Sequence, residues 1–204
     1  MKVKKLVLIA VIGIVIAVLP VLNIIGEMWW FRTVGYESVF FTILFTSLGM
    51  GIGSFLFALL VPLINIRVAK WVSGGKGKKE FFLYVLCFIF ALITGVVMAG
   101  YWDTFLLYLN GTEFGVGDPV FGMDVGYYVF TLLFYGLIFH LLFATLVIGI
   151  VAAAVCYFIY SKKIRLTTVD GYEIPMRIQI DFKGIAETMI PHMSILLGII
   201  FFVA

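Results

Sequence analysis

The chain has 204 residues, of which 64% are hydrophobic and 12% are charged, and its mean hydropathy is +1.19. Soluble domains are about one quarter charged, so this composition excludes an ordinary soluble domain and predicts a polytopic membrane protein. The net charge of +3 does not indicate nucleic-acid binding, because the Lys and Arg residues lie in short segments beside apolar runs, where membrane topology and anionic lipid account for them.

Apart from Arg32, every Lys and Arg lies in one of three basic clusters that alternate with apolar runs. The clusters are Lys2, Lys4 and Lys5; Arg67, Lys70, Lys76, Lys78 and Lys79; and Lys162, Lys163, Arg165, Arg177 and Lys183. Because cytoplasmic loops retain Lys and Arg, we expect the clusters on the cytoplasmic side and the segments between them outside. This pattern predicts a multi-pass protein of the cell membrane with a cytoplasmic N-terminus and an extracytoplasmic C-terminus.

Five apolar runs predict five transmembrane helices in an all-α bundle that forms a single transmembrane domain. The predicted spans are about 6–25, 39–66, 81–100, 127–160 and 185–204, with outer loops 26–38 and 101–126 and inner loops 67–80 and 161–184. The first run is long enough to cross the bilayer and no small-residue cleavage site follows it, so we expect it to be retained. The last run ends at Ala204 without a polar flank, which is typical of a piece of a longer protein.

The inner loop between spans four and five has a strand-like pattern. Residues 176–182 alternate apolar and polar side chains, and Asp170-Gly171 is a tight-turn signal. We predict a small hairpin of residues 164–169 against 174–182, with Pro175 confining its strand to a sheet edge. Two cysteines, Cys87 and Cys156, lie inside apolar runs, which indicates packed thiols rather than a disulfide or a zinc site.

The two outer loops differ from the inner loops in composition. The first places Glu27, Arg32 and Glu37 among aromatic residues suited to the membrane interface. An ion pair of Arg32 with Glu27, with Glu37 or with the second outer loop would explain the one base outside the clusters. The second outer loop has no base and contains the acids Asp103, Glu113, Asp118 and Asp124. It opens with residues 102–109, which we predict to form a short interfacial helix.

The second outer loop and the start of span four carry an ordered set of landmarks: Trp102, Leu109-Asn110, Phe114-Gly115, Asp118-Pro119, Phe121-Gly122, Asp124 and Tyr127-Tyr128-Val129-Phe130. Others are Trp30-Phe31-Arg32, Gly35-Tyr36, Val39-Phe40, His192-Met193-Ser194 and Leu196-Leu197. Together they closely resemble uncharacterised protein family 0182, a group of large prokaryotic multi-pass membrane proteins. The resemblance implies that this chain corresponds to the N-terminal transmembrane part, which in the family usually continues through two more spans into a large extracytoplasmic region. It implies no biochemical activity.

The acids of the second outer loop have two interpretations. Carboxylates and carbonyls are ligands that a hard cation such as calcium takes, although the spacing fits no EF-hand loop. Alternatively, Asp118-Pro119 and the glycines form turns, and Asp side chains cap helices. We favour the turn interpretation and leave metal binding open. The triplet Asn110-Gly111-Thr112 also matches the glycosylation pattern, but the family resemblance explains it better.

Three ionisable residues lie within the predicted spans: His140 in span four, and Glu187 and His192 near the start of span five. Burying charge in lipid is costly, so such residues are functional candidates, here for a proton or ion relay. The interpretation we favour is a neutral histidine hydrogen-bonded to a neighbouring helix, with Glu187 at the interface. In span two, Gly49 and Gly53 have the GxxxG spacing that permits close approach of another helix, which leaves homo-oligomerisation open.

The motifs point away from catalysis. The sequence contains no Ser/His/Asp, Walker, zinc or paired-carboxylate arrangement, so we predict neither enzymatic activity nor a cofactor. The leading hypothesis is a structural or interaction module that presents the acidic, aromatic outer loop to membrane or extracytoplasmic protein partners. The alternative is a transporter or channel component that uses His140, Glu187 and His192. The expected partners are the lipid bilayer and other proteins.

Overall fold

A computed structural model describes residues 2–76, 78–160, 162–169, 172–180 and 182–203, which are helical apart from one β-hairpin and the connecting turns and loops. In chain order the elements are α1 (Lys2–Thr33), α2 (Glu37–Val72), α3 (Phe81–Ala99), α4 (Trp102–Asn110), a π-helical turn (Tyr127–Thr131), α5 (Leu132–Tyr160), β1 (Lys162–Val169), β2 (Tyr172–Ile180) and α6 (Phe182–Val203).

The chain divides into two compact units, Met1–Ser47 and Leu48–Ala204. In the first unit, α1 continues to Thr33 and a turn at residues 34–36 leads into α2. Residues 26–33 and 37–38 of the segment predicted as the first outer loop are therefore helical, because no helix-breaking residue follows Gly26 until Gly35. Arg32 Nε lies 3.1 Å from Glu37 Oε1, which confirms one of the ion pairs expected for this base.

Three helical segments of the described chain are long and apolar enough to cross a membrane: Glu37–Val72, Phe81–Ala99 and Tyr127–Tyr160. They match the predicted spans two, three and four. The apolar part of α6, Ala186–Phe202, is shorter than these three segments. The short helix predicted after span three is confirmed as α4, which begins at Trp102 and ends one residue later than expected; its place at the membrane interface stays a prediction.

Small residues allow α2 and α3 to pack closely in the second unit. A Cβ on Gly95 would lie 2.9 Å from Phe55 Cβ and 3.0 Å from the Gly51 carbonyl oxygen. A Cβ on Gly49 or Gly53 would meet nothing within 4 Å among the described residues. Within this chain, therefore, the contacting glycine of α2 is Gly51, because Gly49 and Gly53 lie on other faces of the helix. The GxxxG pair stays a prediction for contact with another helix.

The buried core of the second unit joins α2, α3, α5 and α6. Apart from the large Tyr157, its residues are small or medium-sized: Ile66, Ala69, Leu83, Cys87, Ala152, Ala153, Cys156, Met193 and Leu196. Both cysteines are buried free thiols, as the sequence predicts. Cys156 Sγ lies 3.6 Å from the carbonyl oxygen of Ile66, so this thiol packs directly against the backbone of α2.

The predicted hairpin is confirmed as β1 paired antiparallel with β2, which adds a small sheet to the expected all-α bundle. Arg165 pairs with Arg177 and Leu166 pairs with Pro175, so the register shifts by one residue at Met176. A bulge is where a strand tolerates proline, which has no backbone N–H to donate.

Candidate functional site

The landmark-rich loop after α4, residues 111–126, is here called the motif loop. Aromatic stacking holds both α4 and this loop against the helix that follows. The ring centroids of Tyr108 and Phe134 are 4.4 Å apart, and those of Phe114 and Phe130 are 5.9 Å apart, both in stacked geometry. Offset-stacked rings contribute about 1 kcal/mol beyond the area that they bury. The start of the long helix therefore serves as the platform for the loop.

Asp124 closes the motif loop at its base. Its Oδ1 accepts hydrogen bonds from the backbone N–H groups of Phe114 at 3.0 Å and Gly126 at 2.6 Å, and its Oδ2 accepts one from Gly115 at 2.8 Å. The bond from Phe114, with that from Gly126 and others, holds the pKa of the Asp124 carboxyl below its usual range. The two ends of the loop are thus tied together by one carboxylate.

Asp118 organises the tip of the motif loop. Its Oδ2 accepts hydrogen bonds from the backbone N–H groups of Val120 at 3.1 Å and Phe121 at 2.7 Å. Its carbonyl oxygen accepts a bond from Gly122, and its own N–H donates to the Met123 carbonyl, each at 2.8 Å. This is the turn chemistry favoured from the sequence, in which an Asp side chain replaces a backbone partner.

The glycines of the two Phe-Gly pairs in the motif loop have the same backbone conformation. Gly115 and Gly122 adopt φ values of +70° and +69°, in the left-handed region that glycine enters without steric cost. Each glycine therefore reverses the chain directly after a phenylalanine.

Several apolar side chains of this ordered loop are exposed. Val120 and Phe121 are each 76% exposed, and Phe114, Val116 and Met123 are also exposed. Below them a cavity of about 340 Å³ is lined by Tyr108, Glu113, Asp124 and Phe130, among others. The described residues contain no group of three or more His, Cys, Asp or Glu side chains that could hold a metal ion. Asp118 Oδ2 and both carboxylate oxygens of Asp124 instead accept hydrogen bonds from backbone N–H groups.

The remaining acids and polar landmarks of this region have local roles. Asp103 Oδ1 accepts a bond from the Thr104 N–H at 2.7 Å in the first turn of α4. Asn110 Nδ2 donates to the Leu106 carbonyl at 2.8 Å and so completes the end of the same helix. Trp102 is half-buried at the start of α4, and Pro119 is exposed at the tip of the loop.

The two histidines of the predicted spans differ in their surroundings. His140 is exposed on α5, and its Nδ1 lies 2.6 Å from the Gly136 carbonyl of its own helix. His192 on α6 is half-buried, with Nδ1 at 3.1 Å from the Tyr157 hydroxyl on α5 and Nε2 at 3.0 Å from Asn65 Oδ1 on α2. The structure thus joins three helices through His192, but it does not join His140 to this group. Glu187 is exposed on α6.

The orientation of the Asn65 amide shows which ring nitrogen of His192 carries a hydrogen. Asn65 Nδ2 donates to the Val61 carbonyl at 2.8 Å, so Oδ1 is the atom turned toward the imidazole. Because an amide oxygen only accepts, His192 Nε2 carries a hydrogen, and a neutral ring accepts the Tyr157 hydroxyl at Nδ1. This is the hydrogen-bonded histidine that we favoured from the sequence.

A second polar group lies where α2 ends and α3 begins. We call it the charged clasp; it consists of Lys70, Glu80 and Tyr160. Glu80 is only 3% exposed; its Oε1 lies 2.5 Å from Lys70 Nζ, and its Oε2 accepts a hydrogen bond from the Tyr160 hydroxyl. The backbone of Gly75 lies so close to the Tyr160 ring that a Cβ there would approach within 2.6 Å. The clasp therefore ties the turn between α2 and α3 to the end of α5.

Over residues 4–204 the chain matches the model of the uncharacterised protein family UPF0182. The chain belongs to this family. It is 27% identical to a UPF0182 protein of Methanospirillum hungatei over 98% of this chain and 23% of the relative. It is 30% identical to UPF0182 proteins of Mycobacterium marinum, over 83% of this chain and 19% of the relative, and of Moorella thermoacetica, over 84% and 22%. The chain thus spans about a fifth of the length of these relatives. No solved structure matches it.

The landmarks from Phe114 to Asp124 include the residues that shape the motif loop, but contact residues elsewhere were missed, among them Asn65, Tyr157, Tyr160 and Glu80. Asn65 is visible in the sequence only as an isolated amide in an apolar run, and Tyr157 and Glu80 carry no motif. Glu80 directly follows the second basic cluster, which is a signal for an ion pair that sequence reasoning had available. Their partners are distant in the chain, so spacing alone does not pair them.

Proposed function

We propose that this UPF0182 chain is a five-span membrane base with its N-terminus in the cytoplasm and its C-terminus outside. The three long apolar helical segments support membrane insertion, and α1 and α6 supply the other two spans. The alternation of Lys and Arg clusters supports the orientation, which places the motif loop on the extracytoplasmic side.

On this base, the proposed role is non-catalytic: the motif loop is a docking surface for an extracytoplasmic protein. One observation carries the proposal, namely that the loop is tied internally by Asp118 and Asp124 while Val120 and Phe121 at its tip are 76% exposed. An internally bonded loop loses little conformational entropy on binding, so exposed apolar side chains on it are efficient contacts.

The charge of the loop region indicates what kind of surface its partner has. Residues 101–126 contain four acids and no base, and Glu113 is exposed. A partner surface that places Lys or Arg around an apolar recess would match both the charge and the exposed phenylalanine. We therefore expect a basic, apolar extracytoplasmic protein surface.

Photo-crosslinking in native membranes tests this role. A photoreactive phenylalanine analogue at Phe121 is expected to give a protein adduct of discrete mass. The same analogue at Val96, which is 74% exposed on α3, should give lipid adducts only. Asp124→Ala should abolish the Phe121 adduct because it releases the loop, whereas Asp103→Ala, which removes only a contact within α4, should keep it. Lipid adducts alone at Phe121 would overturn the docking role.

A transporter component is the second candidate, favoured by the hydrogen-bonded row of Asn65, His192 and Tyr157 across three helices. The His192–Tyr157 pair of this row is a route for a proton if water reaches both groups, with Asn65 orienting the imidazole. Proton flux into proteoliposomes should then fall in His192→Ala and persist in His140→Ala, since the hydrogen bond of His140 among the described residues lies within its own helix. Equal flux in both variants and in the unaltered chain would exclude this relay.

A further inference from the structure

A basic cavity of about 530 Å³ lies beside the charged clasp, between the end of α2 and the start of α3. Its lining includes the cations Arg67, Lys70 and Lys78 and the single carboxylate of Glu80. Trp71, which is 81% exposed, and Tyr84 also line it. A cavity with cations and amphipathic aromatic side chains at the end of an apolar helix has the composition of a membrane-interface site.

The charges of this cavity do not balance internally. Glu80 is engaged by Lys70 and Tyr160, and among the described residues neither Arg67 nor Lys78 is paired with a carboxylate. Two cations of the lining are therefore left to face an anion. Arg suits phosphate especially, because its planar guanidinium offers two parallel N–H donors to a pair of phosphate oxygens.

An apolar groove of about 340 Å³ adjoins the basic cavity and shares Arg67 and Tyr84 with it. Its other lining residues are Leu59 and Leu63 on α2 and Phe88 on α3. Leu59, Leu63 and Arg67 follow one another at four-residue intervals, so they form a stripe that runs about 12 Å along α2 from the cation into the apolar part of the helix. A soluble anion has no apolar part that could bind in this groove, whereas a lipid has an acyl chain.

We propose that this end of α2 and α3 binds one anionic phospholipid, with the phosphate in the basic cavity between Arg67 and Lys78 and an acyl chain in the groove along Leu59 and Leu63. The joined polar and apolar cavities match the two halves of such a molecule, and basic pockets between membrane helices bind anionic head groups by the same physics. The site lies away from the motif loop, and it is independent of the docking role proposed for that loop.

Native mass spectrometry of the purified 204-residue chain in detergent tests the proposal, with dioleoyl phosphatidylglycerol as the probe and dioleoyl phosphatidylcholine as the neutral comparison. We expect one phosphatidylglycerol to be retained in preference to phosphatidylcholine. Excess glycerol phosphate should not displace it, because the acyl chain contributes to binding. Equal retention of the two lipids would overturn the proposal, and so would displacement by glycerol phosphate, which would indicate a site for a soluble anion.

Matched variants separate this site from general attraction to a basic loop. Arg67→Gln with Lys78→Gln should weaken phosphatidylglycerol binding by roughly 30-fold, since each cation that faces the phosphate contributes about a factor of five. Lys76→Gln with Lys79→Gln removes the same charge from exposed residues outside both linings and should weaken it less than about threefold. Equal losses in the two double variants would overturn the site.

A separate variant tests the apolar groove without changing any charge. Leu63→Trp fills the apolar cavity and should lower retention of phosphatidylglycerol several-fold, while circular dichroism reports an unchanged helix content. Unchanged retention in this variant would overturn the assignment of the acyl chain to the groove.

Discussion

Glu80 is a nearly buried carboxylate in a chain with few charges, and it stands directly before α3. Burial by itself would raise the pKa of its carboxyl, but hydrogen bonds from Lys70, from Tyr160 and from its own backbone outweigh burial and hold the pKa at about 2. The folded chain therefore stabilises the ionised form of the Glu80 carboxyl. Removing the carboxylate leaves Lys70 with one fewer partner at a site that three helices share.

Glu80→Gln should destabilise the chain in a pH-dependent manner. The folded pKa of about 2 lies below the ordinary 4.5, so the stabilisation is fully present above pH 4.5 and is lost as the pH falls toward 2. The shift corresponds to a stabilisation on the order of 3 kcal/mol at neutral pH. Thermal unfolding of the purified chain at pH 7, 4 and 3 should show a large difference from the unaltered chain at pH 7 that narrows at pH 3.

The exposed ion pair of Arg32 and Glu37 supplies the control for this prediction, because its side chains are 64% and 52% exposed. Glu37→Gln should cost less than about 1 kcal/mol at any of these pH values, as surface ion pairs do. A difference for Glu80→Gln that stays constant from pH 7 to pH 3 would contradict the role assigned to the carboxylate.

At the scale of elements, α2 and α3 depend on the contact between Gly51 and Gly95. Because a Cβ on Gly95 would lie 2.9 Å from Phe55 Cβ, Gly95→Ala must move one helix away from the other. We expect a cost of roughly 1–3 kcal/mol, measured by unfolding of the purified chain in denaturing detergent. Gly53→Ala, where nothing lies within 4 Å, should instead be neutral or gain up to about 1 kcal/mol from helix propensity. Equal stability of the two variants would refute the close contact.

The elements that could be predicted from the sequence are those with a strong local signal. Hydropathy predicts the three long apolar segments, and period-two alternation predicts the hairpin. The π-helical turn at Tyr127–Thr131, where the Leu132 N–H bonds to the Tyr127 carbonyl, has no such signal. The choice of Gly51 over Gly49 and Gly53 also depends on how α2 is rotated toward α3, which spacing within α2 does not define.

In the candidate site, too, local contacts could be predicted from the sequence and contacts between distant residues could not. In the motif loop, Asp118, Asp124 and the two Phe-Gly pairs are local turn chemistry, so their roles could be predicted from neighbouring residues. Contacts made between distant elements could not: His192 with Asn65, and Glu80 with Tyr160. Such pairs depend on the packing of whole helices, and a single sequence does not specify that packing.

At the scale of the whole molecule, the two proposed contact surfaces face different environments. The motif loop has acids and exposed apolar side chains, whereas the end of α2 and α3 has two cations, Arg67 and Lys78, that no described carboxylate pairs, beside an apolar groove. If the Lys and Arg clusters orient the chain as proposed, the acidic surface meets extracytoplasmic proteins and the basic surface meets the cytoplasmic leaflet, which carries anionic lipid. Both proposals therefore require the same orientation of the chain in the bilayer.

Labelling of introduced cysteines with a membrane-impermeant maleimide in intact cells tests that orientation. Glu113→Cys in the motif loop and Val34→Cys in the turn between α1 and α2 are exposed positions that should react from outside. Lys76→Cys, in the turn between α2 and α3, should react only after the membrane is opened. The native Cys87 and Cys156 are buried, so the unaltered chain gives the background. Labelling of Lys76→Cys in intact cells would reverse the orientation, and protection of Val34→Cys would contradict a membrane crossing by α2.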